Sequence, residues 1–161
     1  MKMLQVNHNT FPILRQFMHY YMNEIFDFVK DLEMDRYGNY VYGGIERYLA
    51  DNDLKAFLIY DEDKFKGFLL LHKGRYAPRG YDYNIHEFYI AKPYRHQGLA
   101  HQILKGLFEV YKGKYFVMQI EKNTKAIRFW HRYYERNEIA FVEKRVQIDG
   151  EWCLTQTFLI N

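Results

Sequence analysis

The hexapeptide Arg95-His96-Gln97-Gly98-Leu99-Ala100 stands between a predicted strand, about Asn84 to Ile90, and a predicted helix, Gly98 to about Lys112. Pro93 ends the strand. Along the helix Leu99, Ile103, Leu104, Leu107, Phe108 and Tyr111 recur on one face. The first amides of a helix have no internal partners and lie at the positive end of its dipole. A diphosphate collects such donors wherever the backbone lets it approach. Gly98 removes the Cβ that would stand in the way, Ala100 keeps the next inward position small, and Arg95 adds a fixed positive charge. This is no dinucleotide fingerprint, since Ala100 and Ile103 occupy the second and third glycine positions, and no P-loop, since a Gly-Lys-Ser/Thr ending is missing.

Outward from that turn the chain alternates strands and helices. Tyr115 to Ile120 is a nearly continuous apolar run, the pattern of a strand buried on both faces. Asn123 opens a helix to about Tyr134, and Ile139 to Ile148 and Glu151 to Ile160 form a hairpin across Asp149-Gly150. Upstream, Met3 to Asn7 is a first strand. Asn9 or Thr10 caps a long helix, Pro12 to Leu32, with Leu14, Phe17, Met18, Tyr21, Ile25, Phe28, Val29 and Leu32 at helical spacing. A tyrosine-rich loop, Asp35 to Gly44, precedes a short helix from Ile45 to Asp51. Two strands, Ala56 to Tyr60 and Phe65 to His72, join through Asp61 to Lys64, and a second loop runs from Gly74 to Tyr83. No linker, repeat or low-complexity tract interrupts the chain, so residues 1–161 are expected to be one domain: a mixed α/β sheet with helices on both faces.

Composition narrows the chemistry. Among 161 residues there is no serine and one cysteine, Cys153, so serine nucleophiles and internal disulfides are excluded. No apolar run approaches the roughly 18 residues of a membrane span, and the N-terminus lacks a signal-peptide block, which together with the lone cysteine favours the cytoplasm and no membrane partner. Residues 1–63 hold 6 Lys/Arg against 11 Asp/Glu, and residues 64–161 hold 17 against 9, so an acidic front and a basic back would suit different ligands. No nucleic-acid motif is present, and the histidines show no metal-ligand spacing, so neither nucleic acid nor metal is expected.

The order strand, Arg95 to Ala100, helix, strand, then Asn123-Thr-Lys-Ala126-Ile-Arg-Phe129-Trp130 resembles the GNAT superfamily of acyl-CoA-dependent N-acetyltransferases over about residues 84–134. The resemblance implies the GNAT fold, a mixed, mostly antiparallel twisted sheet of six to seven strands, with acetyl-CoA as acyl donor. It places the donor where the strands at 84–90 and 115–120 splay apart. Phe88, Tyr89 and Ile90 would pair with the pantetheine arm, the amides around His96, Gln97, Gly98, Leu99, Ala100 and His101 would hold the pyrophosphate beside Arg95, and Asn123, Ala126 and Phe129 would line the thioester side.

The acceptor chemistry adds further candidates. A lysine-like amine, with a pKa near 10.4, is free of its proton in only about one molecule in a few thousand at pH 7, so a base is needed. Glu87 is the candidate: in strict alternation it shares a face with Ile85 and Tyr89, an apolar setting that raises a carboxyl pKa. A backbone amide at Tyr89 or Ile90 would meet the oxyanion. Where many family members carry an acidic Tyr four residues after the alanine, this chain has Trp130, which leaves Tyr133, or Tyr134, as candidate acid. Tyr37, Tyr40, Tyr42 and Tyr81, with Glu24, Asp27, Asp31, Glu33 and Asp35 nearby, are candidates for a pocket that takes a small cationic amine. The expected reaction is acetyl transfer to a primary amine by direct attack, in a monomer or homodimer. The alternatives are a protein lysine or N-terminal acceptor, or a CoA-binding module without catalysis.

Overall fold

The computed structural model describes residues 2–29 and 32–161. β1 (Lys2–Gln5) leads into α1 (Phe11–Ile25), and then come β2 (Leu54–Asp61), β3 (Lys64–Lys73) and β4 (Tyr83–Ile90). α2 (Leu99–Val110), β5 (Gly113–Ile120), α3 (Thr124–Arg136), β6 (Phe141–Ile148) and β7 (Glu151–Ile160) complete the order. Short 3₁₀ turns lie at Ile45–Leu49, Gly74–Tyr76 and Lys92–Tyr94. The β6–β7 turn has Asp149 and Gly150 at φ 49° and 83°, the left-handed pair that a two-residue hairpin requires.

All the strands join one seven-stranded sheet, ordered β1-β2-β3-β4-β5-β7-β6. Every pairing is antiparallel except β4 with β5. That parallel pair is short: Tyr83, Asn84 and Ile85 meet Tyr115, Phe116 and Val117, and beyond them the strands part. Leu14, Met18 and Met22 of α1 pack with Leu58, Phe68, Leu70 and Tyr89 on one face of the sheet. Leu99, Ile103, Leu104, Leu107 and Phe108 of α2, with Trp130, Tyr133 and Tyr134 of α3, pack with Phe57, Ile59, Leu69 and Leu71 on the other.

Three expectations are revised. α1 ends at Ile25, not Leu32: the N–H groups of Phe28 and Val29 both return to the Ile25 carbonyl as a turn. The following chain then forms its own hairpin-like contacts, Asp35 N–H to Asn39 and Val41 N–H to Glu33, so its apolar residues serve loop packing. Second, β5 is buried on one face only. Tyr115 and Val117 are in the core, whereas Met118 is 40% exposed and Phe116 borders an open groove of about 600 Å³ lined by β-strand residues and Tyr81. Third, strict alternation fails in β4. The register passes from Leu70 opposite Glu87 to Leu71 opposite Ile85, leaving His86 as an extra residue. This bulge sends Ile85 into the α2/α3 core while Glu87 and Tyr89 face α1.

The β3–β4 approach is unusually close at Gly67, where a Cβ would stand 2.0 Å from the Tyr89 carbonyl oxygen. Both partners are backbone in paired strands, so neither can yield cheaply. Gly67→Ala is therefore expected to lower the unfolding free energy by about 1–3 kcal/mol in urea titration. Gly106→Ala, in α2 with nothing within 4 Å of its would-be Cβ, should instead stabilise by about 0.4–1 kcal/mol. Equal effects at the two sites would show that the β3–β4 approach is not constrained.

Candidate active site

Glu87 is the centre of a hydrogen-bonded group that the bulge assembles. Tyr21 of α1 donates its hydroxyl to Glu87 Oε2, and Tyr42 donates to Oε1 at 3.3 Å. Burial pushes the Glu87 carboxyl from the ordinary 4.5 up to about 7, against the two hydroxyl donors, which lower it. Burial and then the nearby Glu87 charge raise both tyrosines, so they stay protonated and remain donors. At neutral pH the carboxyl is thus poised between its two forms.

A second polar group lies alongside. Tyr48 Oη is 2.6 Å from His72 Nε2, and His72 stacks on the bulged His86 with ring centroids 4.1 Å apart. Burial, followed by the neighbouring His86, lowers His72 to about 4; burial lowers His86 as well. Both imidazoles are neutral at pH 7. The same bulge brings His86 to this face, against His72. Among the described residues no cluster of three or more His, Cys, Asp or Glu side chains forms a metal site, and no helix is long and apolar enough to cross a membrane.

The gap between β4 and β5 is the other half of the site. The Ala91 N–H donates to the Lys66 carbonyl, so the two-residue period of an antiparallel ladder turns Tyr89 toward β3 and turns the backbone groups of Phe88 and Ile90 toward the gap. Phe88 meets Phe129 of α3 edge to face, with centroids 6.1 Å apart, on the α2/α3 side. His96 and Gly98 both have positive φ, 62° and 76°, in the loop that opens α2. Gln102 is the first N–H to return into that helix, to Gly98, so the amides before it are free to face a ligand. A Cβ at Gly98 would meet nothing within 4 Å, so the loop is open to approach. Free strand edge, apolar wall and bare amide cluster match the amides, the apolar stem and the pyrophosphate of a CoA ester.

The remaining candidates distribute unevenly. Arg95 is spoken for: its Nε donates to the Ile90 carbonyl at 2.7 Å and its guanidinium grips Glu24 at 2.8 and 3.0 Å. Tyr89 Oη donates to the same Glu24. Gln97 ties back to Pro93, Leu99 is buried, and Ala100 packs against the core. Asn123 caps α3 by accepting the Ala126 N–H at 3.2 Å. Tyr133 is buried beside His101, with centroids 5.2 Å apart, and burial pushes its hydroxyl up to about 12. Trp130 stacks on Tyr134, whose hydroxyl donates to Gln156. Of the pocket tyrosines only Tyr42 reaches Glu87. Tyr40 packs on His19 and Phe26, Tyr37 is 73% exposed beside Arg36, and Tyr81 rests on Phe116. Asp31 lies outside the described residues. Tyr21, Tyr48 and His72 carry no local motif; Tyr21 is legible only as one more apolar position of α1.

Among solved structures the chain is similar to an acetyltransferase from Thermus thermophilus (16% identity, 97% of this chain and 94% of that one, TM-score 0.69). It is similar to a protein from Corynebacterium glutamicum described as a histone acetyltransferase HPA2 and related acetyltransferase (12% identity, 99% and 96%, TM-score 0.71). It is also similar to a GNAT family acetyltransferase from Elizabethkingia anophelis with acetyl-CoA bound (16% identity, 71% and 80%, TM-score 0.50). No curated protein matches the chain. The family model described as Acetyltransferase (GNAT) family matches residues 15–134, from within α1 to within α3, and acetyl-CoA is the acyl donor of that family; the chain belongs to the GNAT acetyltransferase family.

Proposed function

We propose that this chain transfers the acetyl group of acetyl-CoA to a primary amine of a small cationic molecule, by direct attack in a ternary complex. The observation that carries this reading is Glu87, a partly buried carboxyl near neutrality beside the gap. When bound, acetyl-CoA supplies an activated thioester and a thiol leaving group. Phe88 holds the arm through its free backbone groups, the amides from His96 to His101 hold the pyrophosphate, and Asn123, Ala126 and Phe129 wall the reactive end, while the Ile90 carbonyl stays with Arg95 and only its N–H is left for the ligand.

Glu87 takes the ammonium proton, leaving a lone pair on nitrogen for N–C bond formation; as the C–S bond breaks, the second proton shed by that nitrogen goes to the departing thiolate, giving the amide and the free thiol, and Glu87 returns its own proton to water. An ammonium near 10.4 gives its proton to a carboxylate at about 7 more readily than to one at 4.5, by roughly 3 kcal/mol at 1.36 per pKa unit. The Ile90 N–H, turned toward the gap, is the amide placed to stabilise an oxyanion. Tyr133, with its hydroxyl at about 12, is a poor proton donor to a thiolate near 8.5, so its role is to donate a hydrogen bond while the thiolate leaves. The aromatic faces of Tyr21 and Tyr42 around Glu87 suit a cation, and Tyr37, Tyr40 and Tyr81 are the outer candidates.

The direct experiment is acceptor-dependent thiol release from acetyl-CoA across primary amines, polyamines and peptides. Release with small cationic amines supports the reading; CoA binding without release on any panel would make the chain a binding module. Glu87→Gln is expected to lower kcat about 10²–10⁴-fold and to remove the acid limb of the pH profile. An unchanged profile would end the base assignment.

Tyr21→Phe and Tyr42→Phe each delete a donor that lowers Glu87, so the acid limb should move to higher pH in both. A limb that stays in place or moves down would break the link. Stability reports the same group without turnover. A carboxyl raised in the folded state ionises first in the unfolded chain, so it costs the native state increasingly as pH rises from about 4.5 to about 7. Measured by urea unfolding, the stability of Glu87→Gln relative to wild type should therefore rise across that window.

A further inference from the structure

Gln119 of β5 is 6% exposed, and neither its Nε2 nor its Oε1 finds a hydrogen-bond partner among the described residues. Gln156 on neighbouring β7 shows the ordinary outcome for a buried amide: its Oε1 accepts from Tyr134 at 3.1 Å and its Nε2 donates to Glu143 at 2.7 Å. An orphaned buried donor and acceptor are costly, and a leucine would fill the position without that cost.

Position supplies the reason. Tyr115 and Val117 face α2 and α3, and by the two-residue period of a strand Gln119 shares that face. Val117 is the last β5 residue paired with β4, so Gln119 stands two positions into the segment where the strands have parted. Asn123 and Ala126, at the start of α3, follow within seven residues. The amide therefore flanks the gap on the side that carries Phe88, Phe129 and the opening of α2.

We infer that Gln119 binds the pantetheine arm of acetyl-CoA, its Nε2 and Oε1 pairing with the carbonyl and N–H of one secondary amide. This rests on the reading that the β4–β5 gap holds acetyl-CoA. The ligand chemistry selects the arm. A pyrophosphate calls for cations or a cluster of amides, and an acetyl methyl calls for an apolar wall. A secondary amide offers one acceptor and one donor, the complement of the two unpaired atoms.

The test is calorimetric titration of wild type and Gln119→Leu with CoA and with 3′-phosphoadenosine 5′-diphosphate, which keeps the pyrophosphate and nucleoside but has no arm. Gln119→Leu should weaken CoA about fivefold to thirtyfold. It should leave the armless ligand within about twofold, and the ligand-free variant should melt no lower than wild type. Gln119→Met repeats the measurement with a side chain of similar length if the leucine variant folds poorly. Unchanged CoA affinity in a folded variant, or equal loss for both ligands, overturns the assignment while leaving the acetyl-CoA reading intact. Wild-type protein that binds neither ligand overturns both.

Discussion

The structure depends on the early parting of β4 and β5. A parallel pair of strands would normally continue its ladder, because each unpaired backbone group inside a fold is expensive. Here three residue pairs form and the ladder stops, although both strands run on for several residues. β4 stays anchored by its long antiparallel register with β3, and β5 by its eight pairs with β7. The gap is thus held open by two half-sheets, and the groups left over, the Phe88 backbone, the Ile90 N–H and the Gln119 amide, all border it. In a sheet without a ligand these would be defects. Beside the arm of the proposed acetyl-CoA, which carries amides of its own, they would form a template.

The bulge at His86 follows the last paired residue and gives the two faces different work. One extra residue moves Glu87 and Tyr89 to the α1 side, away from the wall of Phe88 and Phe129. The α1 side then holds the titratable groups: Glu87 with Tyr21 and Tyr42, and the neutral pair His72 and His86. The α2/α3 side holds the bare helix start and the aromatic wall. Tyrosine serves the first side well, since a buried phenol raised in pKa donates to a carboxylate without competing for its proton.

The order of elements was legible in the sequence because Pro93, the Gly98 turn and Asp149-Gly150 are local signals, and because the helices repeat their apolar faces. The Arg95–Ala100 turn and the Asn123–Phe129 run also marked the gap from both sides. What sequence could not read was the register. A single bulge reverses every face assignment past it, and no residue type in Ile85-His-Glu-Phe-Tyr-Ile90 announces one. Glu87 is singled out by an alternation that the structure does not have; the bulge gives it a different face and different neighbours. Its partners Tyr21 and Tyr42 lie 66 and 45 positions away and carry no pattern beyond being tyrosine. Arg95 is likewise legible only as a local charge; its pairing with Glu24 of α1 comes from across the fold.

The proposed direct transfer also follows from where the nucleophiles are not. With no serine, the thiol of Cys153 is the first place to look for a covalent acetyl-enzyme. That thiol is 3% exposed on β7, opposite Ile120 of β5 and Val146 of β6, and burial, with Glu151 and Glu121 nearby, pushes its pKa up. A thiol needs the reverse environment to attack: exposure and a neighbouring cation to hold the thiolate. Glu87, by contrast, sits where α1 meets the strand that borders the gap, with a pKa of about 7 that suits the base of the proposed transfer. An amine arriving from the α1 side and a thioester held from the α2/α3 side would meet through the opening itself. In the proposed reaction, the same parting of strands that leaves amides unpaired would let one sheet serve two substrates from opposite faces.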